Sequence, residues 1–275
     1  MNIKTRIDFC IVISVDGANP NGDPLLKNRP RQSYDGYGEI SDVCIKRKIR
    51  NRLQDMGENI FMQSEDRIDD GCKSLTDRAK SNQEMQDALK NGKEDEYKRI
   101  ACEKWIDVRG FGQVFPFKGL SVSAGVRGCV SVGSAKSLDV IEIEDLNIAK
   151  SLNLITTNGK DSSTFGYKYT VNHAAYVAYG SIFPQLAERN GFTQEDAGKF
   201  YEAITTLFDS DSSAARPSGT MNVQKVYWWV QNERKKQYPP IKVFRTLKFE
   251  PSEKYPFFTV EETPLPNLEP LVYEI

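Results

Sequence analysis

Few side chains in this sequence could carry covalent or proton-transfer chemistry. His173 is the single histidine, and no Ser or Cys elbow accompanies it, so a nucleophilic site lacks its general base. It stands among aromatic and small residues in a strand-like run, the setting of a structural histidine. Cys10, Cys44, Cys72, Cys102 and Cys129 are scattered with no C-x-x-C pair. Such a set reads as free thiols in a reducing compartment and, with one histidine, excludes a Cys/His zinc centre. Neither a G-x-G-x-x-G nor a Walker pattern occurs, so no cofactor is expected. Asp16, Asp23, Asp35 and Asp42 could converge on magnesium. In N-G-D-P and Y-D-G-Y, however, they fit turn formation, which leaves a metal-dependent RNA endonuclease as the weaker alternative.

What remains is cationic chemistry directed at phosphate. Between Lys27 and Arg52 stand eight Lys or Arg (Lys27, Arg29, Arg31, Lys46, Arg47, Lys48, Arg50, Arg52) against Asp35, Glu39 and Asp42, in a chain of formal net charge −1. Ser41 or Asp42 can cap a helix whose Ile45, Ile49, Leu53 and Met56 form one narrow apolar stripe. Lys46 and Arg50 then stack one turn apart on one flank, with Arg47 beyond them, while Lys48 and Arg52 take the other. Cations spaced i, i+4 repel unless an anion lies between them, an arrangement suited to a phosphate backbone as much as to a solvated face. A second basic stretch, Arg216 to Lys248, has eight bases and one acid. Acidic stretches, Asp55 to Glu103 and Phe249 to the C-terminus, offset both, so a pI near 6.1 is compatible with a segregated basic groove.

Three further segments have the composition of single-strand RNA contacts. Arg109-Gly110-Phe111-Gly112-Gln113-Val114 matches the opening of the RRM signature, with Gln113 in place of an aromatic. It would put Arg109 on phosphate and Phe111 or Gln113 near a base, unless Phe111 is core. Lys160, Phe165, Tyr167, Lys168 and Tyr169 make an aromatic and basic hairpin candidate. Arg216-Pro217-Ser218-Gly219 offers a guanidinium beside the backbone amides of a small-residue loop.

The elements that must position these residues follow from periodicity. Ile7 to Val15 alternates and predicts a half-buried strand, with Asp8, Cys10, Val12 and Ser14 on its other face. An Asn/Gly/Pro-rich loop leads to the basic helix. Asp55 to Trp105 is acidic and Pro-free, with helical fragments near Ser74 to Leu89 and Glu94 to Trp105. Strand signals return at Trp105 to Val108, Gly110 to Phe115, Val122 to Val132 and Val140 to Ile143. Asn158-Gly159 predicts the turn of a projecting hairpin, and Tyr167 to Ser181 reads as a sheet element. Thr193 caps a helix with Ala197, Phe200, Ile204, Leu207 and Phe208 on one face. Val223 to Val230 and Ile241 to Phe249 read as strands separated by Arg234-Lys235-Lys236, and the Pro-rich tail from Pro251 as irregular chain. Without the helical insertion the order is strand, helix, strands, helix, strand. That is the α+β, ferredoxin-like order of RRM-type folds, which present a sheet to single-stranded RNA. No run reaches membrane-spanning length and no signal segment opens the chain, which points to the cytoplasm.

N-P-N-G-D-P, N-R-P-R and Y-G-E-I-S-D-V-C-I-K-R-K-I-R resemble the start of the crRNA-binding backbone subunit of type I-C CRISPR Cascade, the CRISPR-associated family seven of the RAMP superfamily. Further likeness lies at Asp107 to Phe115, Arg127 to Leu138, Thr164 to His173 and Ser212 to Trp229. The resemblance implies one domain over residues 1–275, an RRM-like palm with a helical fingers insertion at about 55–102 and a β-hairpin thumb at about 145–169. It also implies a non-enzymatic role, in which copies polymerise along crRNA, flip out bases at regular intervals and leave the rest of the guide to pair with target DNA. The implied partners are other copies of the chain and the large, small and crRNA 5′-handle-binding Cascade subunits. By the same resemblance Lys46, Arg47 and Arg50 with Ser41 bind crRNA phosphates. Asn19, Asn21, Arg29 and Arg31 contribute from the loop, Arg109 and Gln113 from the palm, Lys160, Phe165 and Lys168 from the thumb, and Arg216 with Ser218 from the second loop. A stand-alone RRM-type RNA-binding protein is the reading of a different class.

Overall fold

The spine of the molecule, in a computed structural model describing residues 3–115, 124–149, 165–232 and 237–275, is β1 (Ile7–Ala18). Chain order then gives β2 (Gly22–Asp23), β3 (Arg29–Pro30), β4 (Tyr37–Ile40) and α1 (Asp42–Asp55). Helices α2 (Leu75–Lys80), α3 (Gln83–Lys90), α4 (Glu94–Lys104) and α5 (Ile106–Phe111) follow. Next come β5 (Gly112–Phe115), β6 (Ala124–Arg127), β7 (Val130–Val132), β8 (Ala135–Val140), β9 (Ile143–Ala149) and the long β10 (Phe165–Ile182). After them stand α6 (Pro184–Asn190), α7 (Gln194–Thr205), β11 (Met221–Val230), α8 (Pro240–Phe244), β12 (Leu247–Pro251), β13 (Phe258–Glu262) and β14 (Leu271–Glu274).

The main sheet is antiparallel and runs β14-β11-β1-β10-β8-β4, with β7 and β9 also paired to β10. β1 lies at its centre, in register with β10 from Ile7 opposite Ile182 to Ala18 opposite Val171, and with β11 on its other side. On one face Ile7, Phe9, Ile11, Ile13 and Val15 pack against Ile45, Ile49 and Leu53 of α1 and Ala197, Phe200 and Ile204 of α7. The helix stripes read from periodicity are therefore the ones buried.

The other face corrects the half-buried reading of β1. Cys10 and Val12 join Tyr227 and Trp229 beneath Val243, Leu247, Phe257, Phe258 and Leu268, so β1 is covered on both sides. Asp8 is tolerated in this interior because Arg6 Nε (2.9 Å), Ser181 Oγ (2.6 Å) and Gln231 Nε2 (2.5 Å) all donate to its carboxylate. The sheet face opposite α1 and α7 is thus covered by the chain's own C-terminal part.

The insertion holds a second core. Phe61, Met85, Tyr97, Ala101 and Trp105 cluster with Phe115 and Val126, and Phe61 meets Trp105 and Phe115 edge-on at 4.7 and 5.1 Å. Ser74 and Asn82 cap its helices by accepting from Asp77 N (3.0 Å) and Met85 N (2.9 Å). Of Trp105 to Val108, expected as a strand, Trp105 is the extended residue that caps α5 and Ile106 to Val108 are its first turn. The alternation arises because Ile106 faces the main core and Val108 the insertion core. Ile241 to Phe249 begins as the short helix α8, entered through Pro239-Pro240, before β12 starts. The tail beyond Pro251 is more ordered than expected, since β13 pairs with β12 and β14 with β11. No described helix is long and apolar enough to cross a membrane.

Candidate nucleic-acid interface

The loop between β1 and α1 is tied down by its own polar side chains. Ser41 caps α1, accepting from Cys44 N at 3.4 Å, and in turn donates from N and Oγ to Asn21 Oδ1, each at 2.9 Å. Asn19 is buried and donates from Nδ2 to Asn28 O at 2.6 Å, while its Oδ1 has no partner among the described residues. Asp23 accepts from Leu25 N (3.0 Å) and pairs with Arg31 (3.4 Å). Lys27 and Asn28 both adopt left-handed backbone, φ 54° and 61°, a conformation Asn tolerates better than most residues. These contacts hold the loop in one shape and aim Lys27 and Arg29 to one side.

That side is the ribbon formed by β9 and the first half of β10. Tyr167 stands opposite Asn147 and Tyr169 opposite Asp145, so the two tyrosines share one face of the ribbon with Asp145. Their rings lie 6.2 Å apart and within 10° of parallel. Lys27 Nζ sits 4.9 Å from the Tyr167 centroid and Arg29 Cζ 5.4 Å from that of Tyr169, while Arg29 Nη1 donates to Asp145 at 2.9 Å. Tyr167 remains 52% exposed, whereas Lys48 is 5% exposed. Lys168 projects from the ribbon's other face, paired with Leu146. Phe165 opens β10, whereas Lys160 and the Asn158-Gly159 turn lie outside the described residues.

The second loop reaches the same end of β1. Asn19 N donates to Ala215 O (2.9 Å) and Asp16 N to Thr220 O (2.8 Å). There Asp211 takes both Lys48 Nζ and Arg216 Nε, the latter at 2.9 Å, and Ser218 is exposed beside them. Burial pushes the Cys44 thiol above its ordinary pKa, against the opposing fields of Lys48, Arg216 and Arg31. Burial likewise lowers the Lys48 pKa, and Asp211 resists that change.

Lys46, Arg50, Arg109 and Arg216, all expected at crRNA, do not line a single groove, because Arg50 and Arg109 are turned onto buried carboxylates. Arg50 is 8% exposed, donates to Asp107 at 2.9 Å and lies over the Phe111 ring. Asp107 is fully engaged, since Phe61 N and Met62 N also donate to it, at 2.7 and 3.1 Å. Arg109 makes a two-pronged contact with Asp196, 3.1 and 2.7 Å, and donates to Cys102 O. Burial raises the Asp196 pKa, but hydrogen bonds from Arg109 and Thr193 outweigh it and leave the carboxyl below its usual range. Arg47 is held by Met62 O, with its pKa lowered by burial. Arg50 and Arg109 thus brace α1, α5 and α7 from within. Lys46 stays near the surface, paired with Asp42 at 2.9 Å. Gln113 donates to Val114 O and lines an apolar cavity of about 480 Å³ in the insertion.

Of the sequence-derived set, Asn19, Asn21, Arg29, Arg31, Ser41, Arg216 and Ser218 belong to the two adjoining loops and the start of α1, with Arg29 bridging to the ribbon. Asp145 and Lys27 were missed as members, as was the stacking of Tyr167 on Tyr169. The Tyr-x-Tyr spacing was a usable signal, because period 2 puts both rings on one strand face. His173 packs against Phe257 with ring centroids 4.9 Å apart. Among the described residues no three His, Cys, Asp or Glu could hold a metal ion. Asp23, Asp35 and Asp42 serve as hydrogen-bond acceptors or ion-pair partners for Leu25, Ser33 and Lys46.

The family model described as CRISPR-associated protein Cas7 matches residues 5–265. A CRISPR-associated protein Cas7 of Haloferax volcanii is 26% identical over 226 residues, covering 75% of this chain and 64% of the relative. The chain therefore spans 64% of the length of that curated relative. A chain of a solved structure described as a CRISPR RNA-guided surveillance complex, pre-nicking, superposes with a TM-score of 0.52 at 14% identity, covering 84% of this chain and 80% of the other. That likeness is one of fold: a large antiparallel sheet with helices. By the match over residues 5–265, this chain belongs to the CRISPR-associated protein Cas7 family.

Proposed function

We propose that this chain is a non-catalytic backbone subunit of a CRISPR Cascade effector of type I-C, whose copies line up along crRNA in the cytoplasm and hold it for pairing with target DNA. The family membership supports the role. The observation that carries the interface is the set of Lys27 and Arg29 over the stacked pair of exposed Tyr167 and half-buried Tyr169. Cations that track a backbone beside aromatic faces are how sequence-tolerant single-strand binding is built. The neighbouring Arg31 and Arg216 extend the basic surface along the same loops, with Lys48 buried beneath them on Asp211 and Asn19, Asn21, Ser41 and Ser218 shaping it. Lys46 and Lys168 lie on adjoining elements.

An RRM-like palm is supported by the run β11-β1-β10-β8, in which the fourth, first, third and second strands of a ferredoxin-like unit stand side by side. α1 and α7 then lie on one face, the insertion core forms the fingers and the β9/β10 ribbon begins the thumb. Guide bases left exposed would supply sequence specificity by pairing, so the protein needs only backbone contacts, base flipping and regular spacing. The further partners are the large, small and 5′-handle-binding subunits of the same complex. Co-expression with neighbouring operon proteins tests the reading, through the mass of the purified assembly and sequencing of its RNA. The expected result is a multi-copy particle carrying crRNA of uniform length. A lone monomer free of nucleic acid from the same preparation would refute it.

A further inference from the structure

Arg29, Arg31, Lys46, Lys48 and Arg216, in and beside the surface just described, each pair with a carboxylate of this chain, and one of those partners is placed differently from the others. Asp23, Asp42 and Asp211 pair with Arg31, Lys46, Lys48 and Arg216 across neighbouring turns or within the two loops and α1. Asp145 alone of this group belongs to the ribbon, 116 residues from its partner Arg29. The pair is solvent-exposed on both sides. It is joined there by Arg29 over Tyr169 and Lys27 over Tyr167, so three contacts clasp the loop to one ribbon face.

We propose that Asp145 is a positioning residue of the RNA interface: it holds Arg29 against the ribbon in the RNA-free chain and yields that guanidinium to a phosphate when a strand binds. The proposal rests on the RNA-binding reading and adds to it a residue of the wrong sign for RNA. A carboxylate and a phosphate present the same planar fork of Arg donors with equivalent acceptors, so the exchange keeps the guanidinium in place and swaps its anion. An exposed ion pair is weak enough to be exchanged. The clasp meanwhile preorganises Arg29 and keeps both tyrosine rings side by side, which lowers the ordering cost of binding. The released carboxylate then stands beside the bound strand and weakens it, which keeps a single chain from gripping stray RNA.

The test is a double-mutant cycle on the full chain, read by anisotropy of fluorescein-labelled polyuridine at low salt. Asp145→Asn should tighten binding about threefold, the scale of an exposed pair. Glu144→Gln removes the same charge from the other ribbon face and should change affinity much less. Arg29→Gln should cost about threefold more in the Asp145→Asn background than in wild type, because only in wild type does losing Arg29 also remove a competing internal pair. Equal effects of Asp145→Asn and Glu144→Gln would overturn the proposal, leaving net charge as the cause. So would additivity of Arg29→Gln and Asp145→Asn while wild type still binds RNA. Absence of polyuridine binding by wild type and by every variant would overturn this proposal together with the RNA-binding reading beneath it.

Discussion

Two groups of cations in this protein do opposite jobs. Arg50 and Arg109 are turned inward, each on a buried carboxylate, Asp107 or Asp196. Lys27 and Arg29 are turned outward over aromatic rings and a solvent-exposed carboxylate. The sequence context of the two groups is alike: both are Lys or Arg in motifs of the same family likeness. What separates them is the cost of leaving a charge unpaired. Inside, a guanidinium without its carboxylate is untenable, so the pair is permanent architecture. Outside, water can replace the carboxylate, so the pair is exchangeable and available to a phosphate.

The largest effect should come from breaking the inward group. Arg50→Ala leaves Asp107 buried and short of a partner and should destabilise the fold by about 3–5 kcal/mol in urea unfolding. A loss below about 1 kcal/mol, the scale of a surface pair, would erase the distinction between the groups. Arg109→Ala, which removes a two-pronged charge-assisted contact to Asp196 at the capping box of α7, should cost about 2–3 kcal/mol by the same measurement.

The outward group should respond in the opposite sense. Lys27→Ala with Arg29→Ala should leave the unfolding midpoint unchanged but lower polyuridine affinity about tenfold and flatten its log–log salt slope by about 1.4, as expected for two lost single-strand phosphate contacts. A destabilised fold with unchanged RNA affinity would assign these residues to the architectural class instead.

The smallest effect concerns a border case, Arg78 with Asp70, in which the guanidinium is buried and the carboxylate about a third exposed. The Arg78 hydrogen bond holds the Asp70 pKa down to about 2 from 3.8. A depressed carboxylate contributes stability above its unfolded value and loses it as pH falls through its folded value, here between about 4 and 2. Discounted for exposure, the contribution is at most about 1 kcal/mol. Asp70→Asn should therefore lower stability slightly at pH 7 and narrow its gap to wild type at pH 2.

The apolar patterns carried much of this fold openly. Ile45, Ile49 and Leu53, the Thr193 cap and the alternation of Ile7 to Val15 each have a local cause that periodicity reports directly. Trp105 to Val108 misled because its neighbouring apolar residues serve two cores, which imitates the period of a strand. β14 was hidden for a different reason: a short edge strand takes its stability from pairing with β11, not from a pattern of its own.

For the interface, residue types and their neighbourhood were legible: a basic loop, a basic helix, a Tyr-x-Tyr strand and a small-residue loop. Which cations face solvent was not. Arg50 and Lys46 sit one turn apart on the same flank of α1, yet Asp107, 57 residues away from Arg50, draws one of them into the interior. Sequence alone determined that this chain concentrates positive charge beside a sheet of alternating apolar strands, because charge and periodicity are properties of neighbours along the chain. Only the tertiary structure decided which charges are internal braces and which remain exchangeable. That choice depends on where distant carboxylates fall and on how much water stays around each pair.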